Sequence, residues 1–152
     1  MHAINLFFAG VFIAINAVLL VVLPRRLSMP KMLALLGCIA ALSVGWAWVY
    51  YRLPRPFAEH ISAAAWKEFH MRAGVATIIL LFCNFFCAVA IPALVRGVAR
   101  FNTTFNRSNV HKEPLRTFLN NIPKVEMGYR LFFLFGSALI FYGIWTDPNT
   151  IK

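Results

Sequence analysis

The chain has 152 residues, of which 61% are hydrophobic and 13% charged, with a formal net charge of +10 and a mean hydropathy of +0.70. Soluble domains carry roughly 25% charged residues, and a soluble fold of this length cannot hide so much apolar surface. The composition therefore excludes a water-soluble globule and indicates one compact domain, residues 1–152, with the bilayer as its solvent.

The positive charge does not indicate nucleic acid. The basic residues lie between apolar segments rather than along one polar face, and no recognition motif accompanies them. They suit the topology signals and anionic headgroups of a membrane protein instead.

Residues 3–24 form the first uncharged run, long enough to cross a hydrocarbon core. A cleaved signal peptide needs a basic leader, a shorter apolar run and a small-x-small site, so a retained helix is expected. Asn5 and Asn16 are its polar residues, and Asn16 falls at mid-membrane. The turn that follows holds Arg25, Arg26 and Lys31 between Pro24 and Pro30, with no acid. Its charge places it in the cytoplasm, and its shortness makes spans one and two an antiparallel hairpin.

The second span, residues 32–51, carries Gly37, Ala41 and Gly45 at four-residue intervals and ends in Trp46, Trp48, Tyr50 and Tyr51. On a helix the three small residues share one face, and a small face lets another helix approach closely where no water drives association. The rest of the chain is expected to pack around this helix.

The segment 52–72 is read as an outer loop. Pro54 and Pro56 resist helix, and Phe57, Ile61, Ala65 and Phe69 then make an apolar strip. A short helix on the outer leaflet fits this strip, as do the first turns of span three. Glu59, His60, Glu68 and His70 are the one cluster with metal-ligand chemistry. Zinc ligands usually lie three to five residues apart, and these pairs are too far separated along a helix to share an ion. They are read as solvated or headgroup-facing, with no metal or cofactor expected.

The third span, residues 73–95, is rich in Phe and holds Asn84, with Pro92 near its inner end as a source of a kink. Asn84 and Asn16 are expected to meet as a polar clasp. Cys38, Cys83 and Cys87 all lie in apolar runs and are read as small packing residues. The inner loop, residues 96–126, begins with a polar stretch, 101–109, that has no helical period. From Lys112 a surface helix is expected, with Leu115, Phe118 and Leu119 on one face. Arg107 and Arg116, like Arg25 and Arg26, are placed against anionic lipid of the inner leaflet or a partner. The fourth span, residues 127–146, has Gly128, Gly136 and Gly143 as small positions, with Tyr142 and Trp145 at its end. Only 131–146 is wholly uncharged, so the helix must start near Val125, with Arg130 snorkelling to the interface.

Ten Lys and Arg fall in the inner segments 25–31 and 96–130, against five in the outer ones. That bias places both termini outside, in the periplasm of a bacterial inner membrane. The fold class expected is all-α: a polytopic bundle of four transmembrane helices with short interfacial helices in the outer and inner loops.

No Asp, Glu, Lys, Arg or His lies deep in any span, which disfavours proton relays, ion-coupled transport and voltage sensing. No phosphate-binding loop, Gly-x-Ser-x-Gly, His-Glu-x-x-His or Cys-x-x-Cys is present. The function expected is that of a non-catalytic accessory or assembly subunit. It would bind other membrane subunits, or a second copy, through Gly37, Ala41 and Gly45, aided by Gly128, Gly136 and Gly143. One alternative is an immunity-type inner-membrane protein that neutralises a toxin. Another is a small membrane enzyme or carrier for a hydrophobic molecule, with a cleft lined by Asn16, Asn84, Ser43 or the outer-loop histidines.

Overall fold

The computed structural model describes residues 2–52 and 62–147, and the regular structure among them is all helical. Four runs are long and apolar enough to cross a membrane: Ala3–Arg25, Met29–Tyr50, Ala63–Phe105 and Ile122–Thr146. The extended piece around Pro54 and Pro56, together with Phe57, Glu59, His60 and Ile61, lies outside the described residues.

α1 (His2–Ala17) passes into a π turn, Val18–Val22, and a 3-10 turn, Leu23–Arg25. α2 is Met29–Arg52. α3 (Ala63–Phe85) runs through a second π turn, Phe86–Ala90, into α4 (Ile91–Phe105). A short α5 (Leu115–Asn120) precedes α6 (Ile122–Thr146). The two π turns have one cause. Each ends two residues before a proline, Pro24 or Pro92. A proline ring crowds the carbonyl four residues back and offers it no N–H. Widening the preceding turn to i→i+5 bonding, as Leu23 N–H to Val18 and Ile91 N–H to Phe86, relieves that crowding.

The third helical run is far longer than its apolar core. Ala63–Phe105 covers 43 residues, or about 65 Å at 1.5 Å per residue, roughly twice a hydrocarbon core. Residues 63–72 are thus the first turns of the third spanning helix, capped by Ser62, whose hydroxyl accepts from Ala65 N–H at 3.1 Å. Residues 96–105 are helical too, which corrects the reading of 96–126 as a loop from its start. Their polar side chains bond their own helix: Asn102 donates to the Val98 carbonyl at 2.9 Å and Thr103 to that of Ala99 at 3.0 Å. Val95 and Ala99 meanwhile bury one face. Arg96 joins Glu126 of α6 at 3.2 Å.

A second correction concerns the helix at the centre. The buried core is not built on α2. It lies among α1, α3 and α6, where Ala9, Leu19, Ala76, Leu80, Phe141, Ile144 and Trp145 pack together. α1 and α6 form the most extensive pair, and α2 rests chiefly on α3. Of the most apolar stretch of α2 only 11% is buried, against 39% for the α3–α4 run. The reason is chemical. The rings of Phe8, Phe12, Phe69 and Trp145 interlock at centroid distances from 5.0 to 6.0 Å, tying α1, α3 and α6 together. The small face of α2 offers no such mass. Outside the core the helices present large apolar side chains, among them Leu42, Ile78, Phe132 and Leu139, as a lipid-facing surface requires.

Candidate functional site

The polar residues within the helices fall into three sets. At mid-helix, Asn84 of α3 donates through Nδ2 to Asn16 Oδ1 of α1 at 2.9 Å, and Asn16 Nδ2 donates to Ser137 Oγ of α6 at 2.6 Å. Asn84 Nδ2 also donates to the Leu80 carbonyl at 2.8 Å, and the Ser137 hydroxyl turns back to the carbonyl of Phe133. All three side chains are fully buried. The clasp satisfies its members on one another, so Asn16 and Asn84 do not line a cleft. Ser137 carries no signal in the sequence, because serines are common in membrane helices and signal nothing until a partner is known.

The second set lies at the end where α1 begins and α6 finishes. Arg72 of α3 is 3% exposed. Its Nη1 donates to the Ile144 carbonyl and its Nη2 to that of Asp147 at 3.1 Å, at the end of α6. Nε and Nη2 also reach Glu68 Oε1 at 2.9 and 2.7 Å. The last carbonyls of a helix lack intrahelical partners and carry its negative pole. A guanidinium placed there satisfies both the geometry and the field.

The third set is a cleft between α2 and α3, about 760 Å³ in volume, with Phe8, Phe12 and Trp145 on its inner side. At its polar end His70 sits in a box of rings. Tyr50 lies 4.2 Å from it, Trp66 4.3 Å, Trp46 5.3 Å and Phe69 5.6 Å, centroid to centroid. Trp46 Nε1 donates to His70 Nδ1 at 2.9 Å. The rings fill that end. Further along, the lining includes the small residues Ser43, Ala73 and Gly74. The exposed Leu42 and Ile78 border it.

The cleft has a polar peculiarity. His70 Nε2 and Trp145 Nε1 are buried without a hydrogen-bond partner, and both residues line it. Because Nδ1 accepts from Trp46, a neutral His70 carries its proton on Nε2. Both orphans are therefore N–H donors. A buried donor without an acceptor costs about 1–3 kcal/mol. His70 is thus not the solvated residue expected from the sequence.

No family model, characterised protein or solved structure matches this chain.

The remaining sequence-derived residues are not gathered. Gly37, Ala41, Gly45, Gly128 and Gly136 are exposed and Gly143 is half-buried. A Cβ added at any of these glycines would meet nothing within 4 Å, so the small faces of α2 and α6 are not packed against each other. Arg25, Arg26, Arg107 and Arg116 are exposed, with Arg116 3.9 Å from Glu113. Cys83 and Cys87 are buried, but Cys38 faces outward rather than into packing. Among the described residues no three His, Cys, Asp or Glu side chains gather as a metal set.

Proposed function

We propose that the protein is a non-catalytic membrane subunit that works by helix packing. Its four helices would form a bundle in a bacterial inner membrane, with both termini periplasmic and α5 at the cytoplasmic interface. The exposed small face of α2 would receive a helix of another membrane subunit. One observation carries this reading: Gly37, Ala41 and Gly45 lie open on a helix that its own chain covers on one side only. Small residues in membrane helices favour close backbone contact, and among the described residues nothing lies within 4 Å of a Cβ added at Gly37 or Gly45. The excess of Lys and Arg in 25–31 and 96–130 supports the orientation.

Gly45→Leu separates assembly from folding. No atom lies within 4 Å of the added Cβ, and leucine favours helix over glycine by up to about 1 kcal/mol. The variant is expected to unfold at the wild-type temperature or above. On native gels in mild detergent it should migrate as a smaller species than the wild type. Identical migration of the two would remove the proposal.

The cleft favours a second reading, a protein that binds a hydrophobic molecule. Ser43 and His70 are among the residues of the cleft. The volume falls within the roughly 300–1,000 Å³ usual for small-molecule sites.

A further inference from the structure

We infer that the outward face of α4 is a docking surface for an anionic phospholipid leaflet, with Phe101 and Phe105 set among its acyl chains and Arg100 and Arg107 drawn to its phosphates. This goes beyond the packing role proposed for α2 and shares with it only the placement of the helices in a membrane.

α4 carries two apolar faces. Val95 and Ala99 are spent on burial within the protein. Leu94, Val98, Phe101 and Phe105 recur at intervals of four, three and four residues, so they share a different face of the helix. All four are exposed, Phe105 to 78%, and the rings of Phe101 and Phe105 lie 5.4 Å apart, centroid to centroid.

Two observations point to what covers this face. The first is continuity. Leu94 lies within the uncharged run 73–95, where an exposed leucine meets lipid. The face then continues without a break past Arg96, and Phe105 lies ten residues beyond Val95, about 15 Å along the helix. Pro92 and the π turn before it, Phe86–Ala90, interrupt the regular ladder as the run leaves the span. Such interruptions are where long helices change direction. An apolar strip beside basic residues, just past the end of a span, is the membrane-contacting side of an interfacial helix.

The second observation is charge. From Ile91 to Lys112 the chain holds Arg96, Arg100, Arg107 and Lys112 and no acid. Arg96 is held by Glu126. Arg100 and Arg107 are exposed and meet no carboxylate among the described residues. An anionic leaflet complements both halves of this helix, the rings with acyl chains and the guanidinium groups with phosphate. A second copy of the chain would instead set the same arginines against one another. Long arginine stems let the head groups reach back to the phosphate layer, whose potential attracts Lys and Arg and fades within a Debye length.

The test uses the full-length protein as Cys38→Ser, which removes the outward-facing thiol and leaves Cys83 and Cys87 buried. Thr104, exposed beside the strip, is changed to cysteine (Thr104→Cys) and labelled with an environment-sensitive fluorophore. Single copies are placed in nanodiscs of phosphatidylcholine to which phosphatidylglycerol is added in steps, and inorganic phosphate is the soluble control. Discs expose both leaflets, so the result does not depend on orientation.

The emission is expected to shift to the blue with phosphatidylglycerol and not with inorganic phosphate. Arg100→Gln with Arg107→Gln should weaken that response about thirtyfold, or about fivefold for each arginine removed from an anionic surface. Phe101→Ser with Phe105→Ser should leave the probe in a water-like environment. Lys31→Gln with Lys124→Gln removes equal charge from exposed positions outside α4 and should leave the response unchanged. Circular dichroism melting checks that each variant is folded. An emission that stays water-like, or one equal with and without phosphatidylglycerol, would overturn the proposal. So would equal losses in the arginine and lysine pairs. A blue shift confined to discs holding two copies, with energy transfer between their labels, would assign the strip to a second copy and overturn it as well. None of these variants touches Gly45, so the packing role of α2 stands or falls separately, on the migration of Gly45→Leu.

Discussion

Replacing Arg72 by Met is expected to destabilise the folded protein by about 3 kcal/mol, the loss typical when a buried, hydrogen-bonded charge is removed from its partners. Arg72 is 3% exposed, and its guanidinium joins the carbonyls of Ile144 and Asp147 to Glu68. It is the bolt between α3 and the end of α6. Met preserves much of the apolar stem, so the loss reports the head group rather than the packing. Arg72→Lys keeps the charge but not the planar fork that reaches three acceptors at once, and is expected to recover about half the loss. Glu68→Gln isolates the ion pair. The Glu68 side chain is 47% exposed, and an exposed pair contributes about 0–1 kcal/mol, so that variant should stay near wild type. Unfolding in detergent followed by circular dichroism measures all three. Hydrogen exchange should show the last turn of α6 opening selectively in Arg72→Met. If Arg72→Met unfolds with Glu68→Gln, within about 0.5 kcal/mol of wild type, the carbonyl contacts contribute nothing.

Arg72 also shows where the sequence stops being informative. The four spanning segments are legible because charge is absent from them, and absence of charge is a local property. The acceptors of Arg72 are backbone carbonyls 72 and 75 residues away, and a carbonyl has no signature in sequence. In sequence, Arg72 therefore reads only as the last residue of the outer segment 52–72. Residues 96–105 hide for a related reason. Asn102 and Thr103 look like loop formers, yet each bonds a carbonyl of its own helix, and the continuous Ala63–Phe105 run follows.

The cleft is legible only in part. Ser43 and His70 are recognisable as candidates, but the space depends on which small residues of α2 and α3 face each other. That in turn depends on the rotation of α2, a helix held chiefly by α3. The small-residue periodicity of α2 is clear, yet it points to a helix that is not the centre of the core. Gly37, Ala41 and Gly45 lie outward, because burial in the core goes to the side chains with most surface to hide. Phe141 and Trp145 are fully buried. A periodic pattern of small residues fixes which face of a helix accepts close contact, not whether the contact comes from the same chain.

Asn16→Ala is expected to cost about 2–3 kcal/mol, and the reasoning turns on which groups lose a partner. Asn84 Nδ2 carries two hydrogens, directed to Asn16 Oδ1 and to the Leu80 carbonyl. Without Asn16 the first is left in an apolar interior with no acceptor. The Ser137 hydroxyl still donates to the Phe133 carbonyl and merely ceases to accept. Most of the loss is therefore the stranded donor on Asn84, with the remainder from lost packing volume. Removing the stranded group as well should recover part of it. Asn16→Ala with Asn84→Ala is expected to be less destabilised than the two single losses added together, by about 0.6 kcal/mol on the average for polar pairs between membrane helices and at most about 1.7 kcal/mol. A second pairing with Ser137→Ala should show weaker coupling, because the hydroxyl has a backbone acceptor of its own. Additive losses at Asn16 and Asn84 would mean that the two amides are neighbours without an energetic bond, and α1 and α3 would then be held by their rings alone.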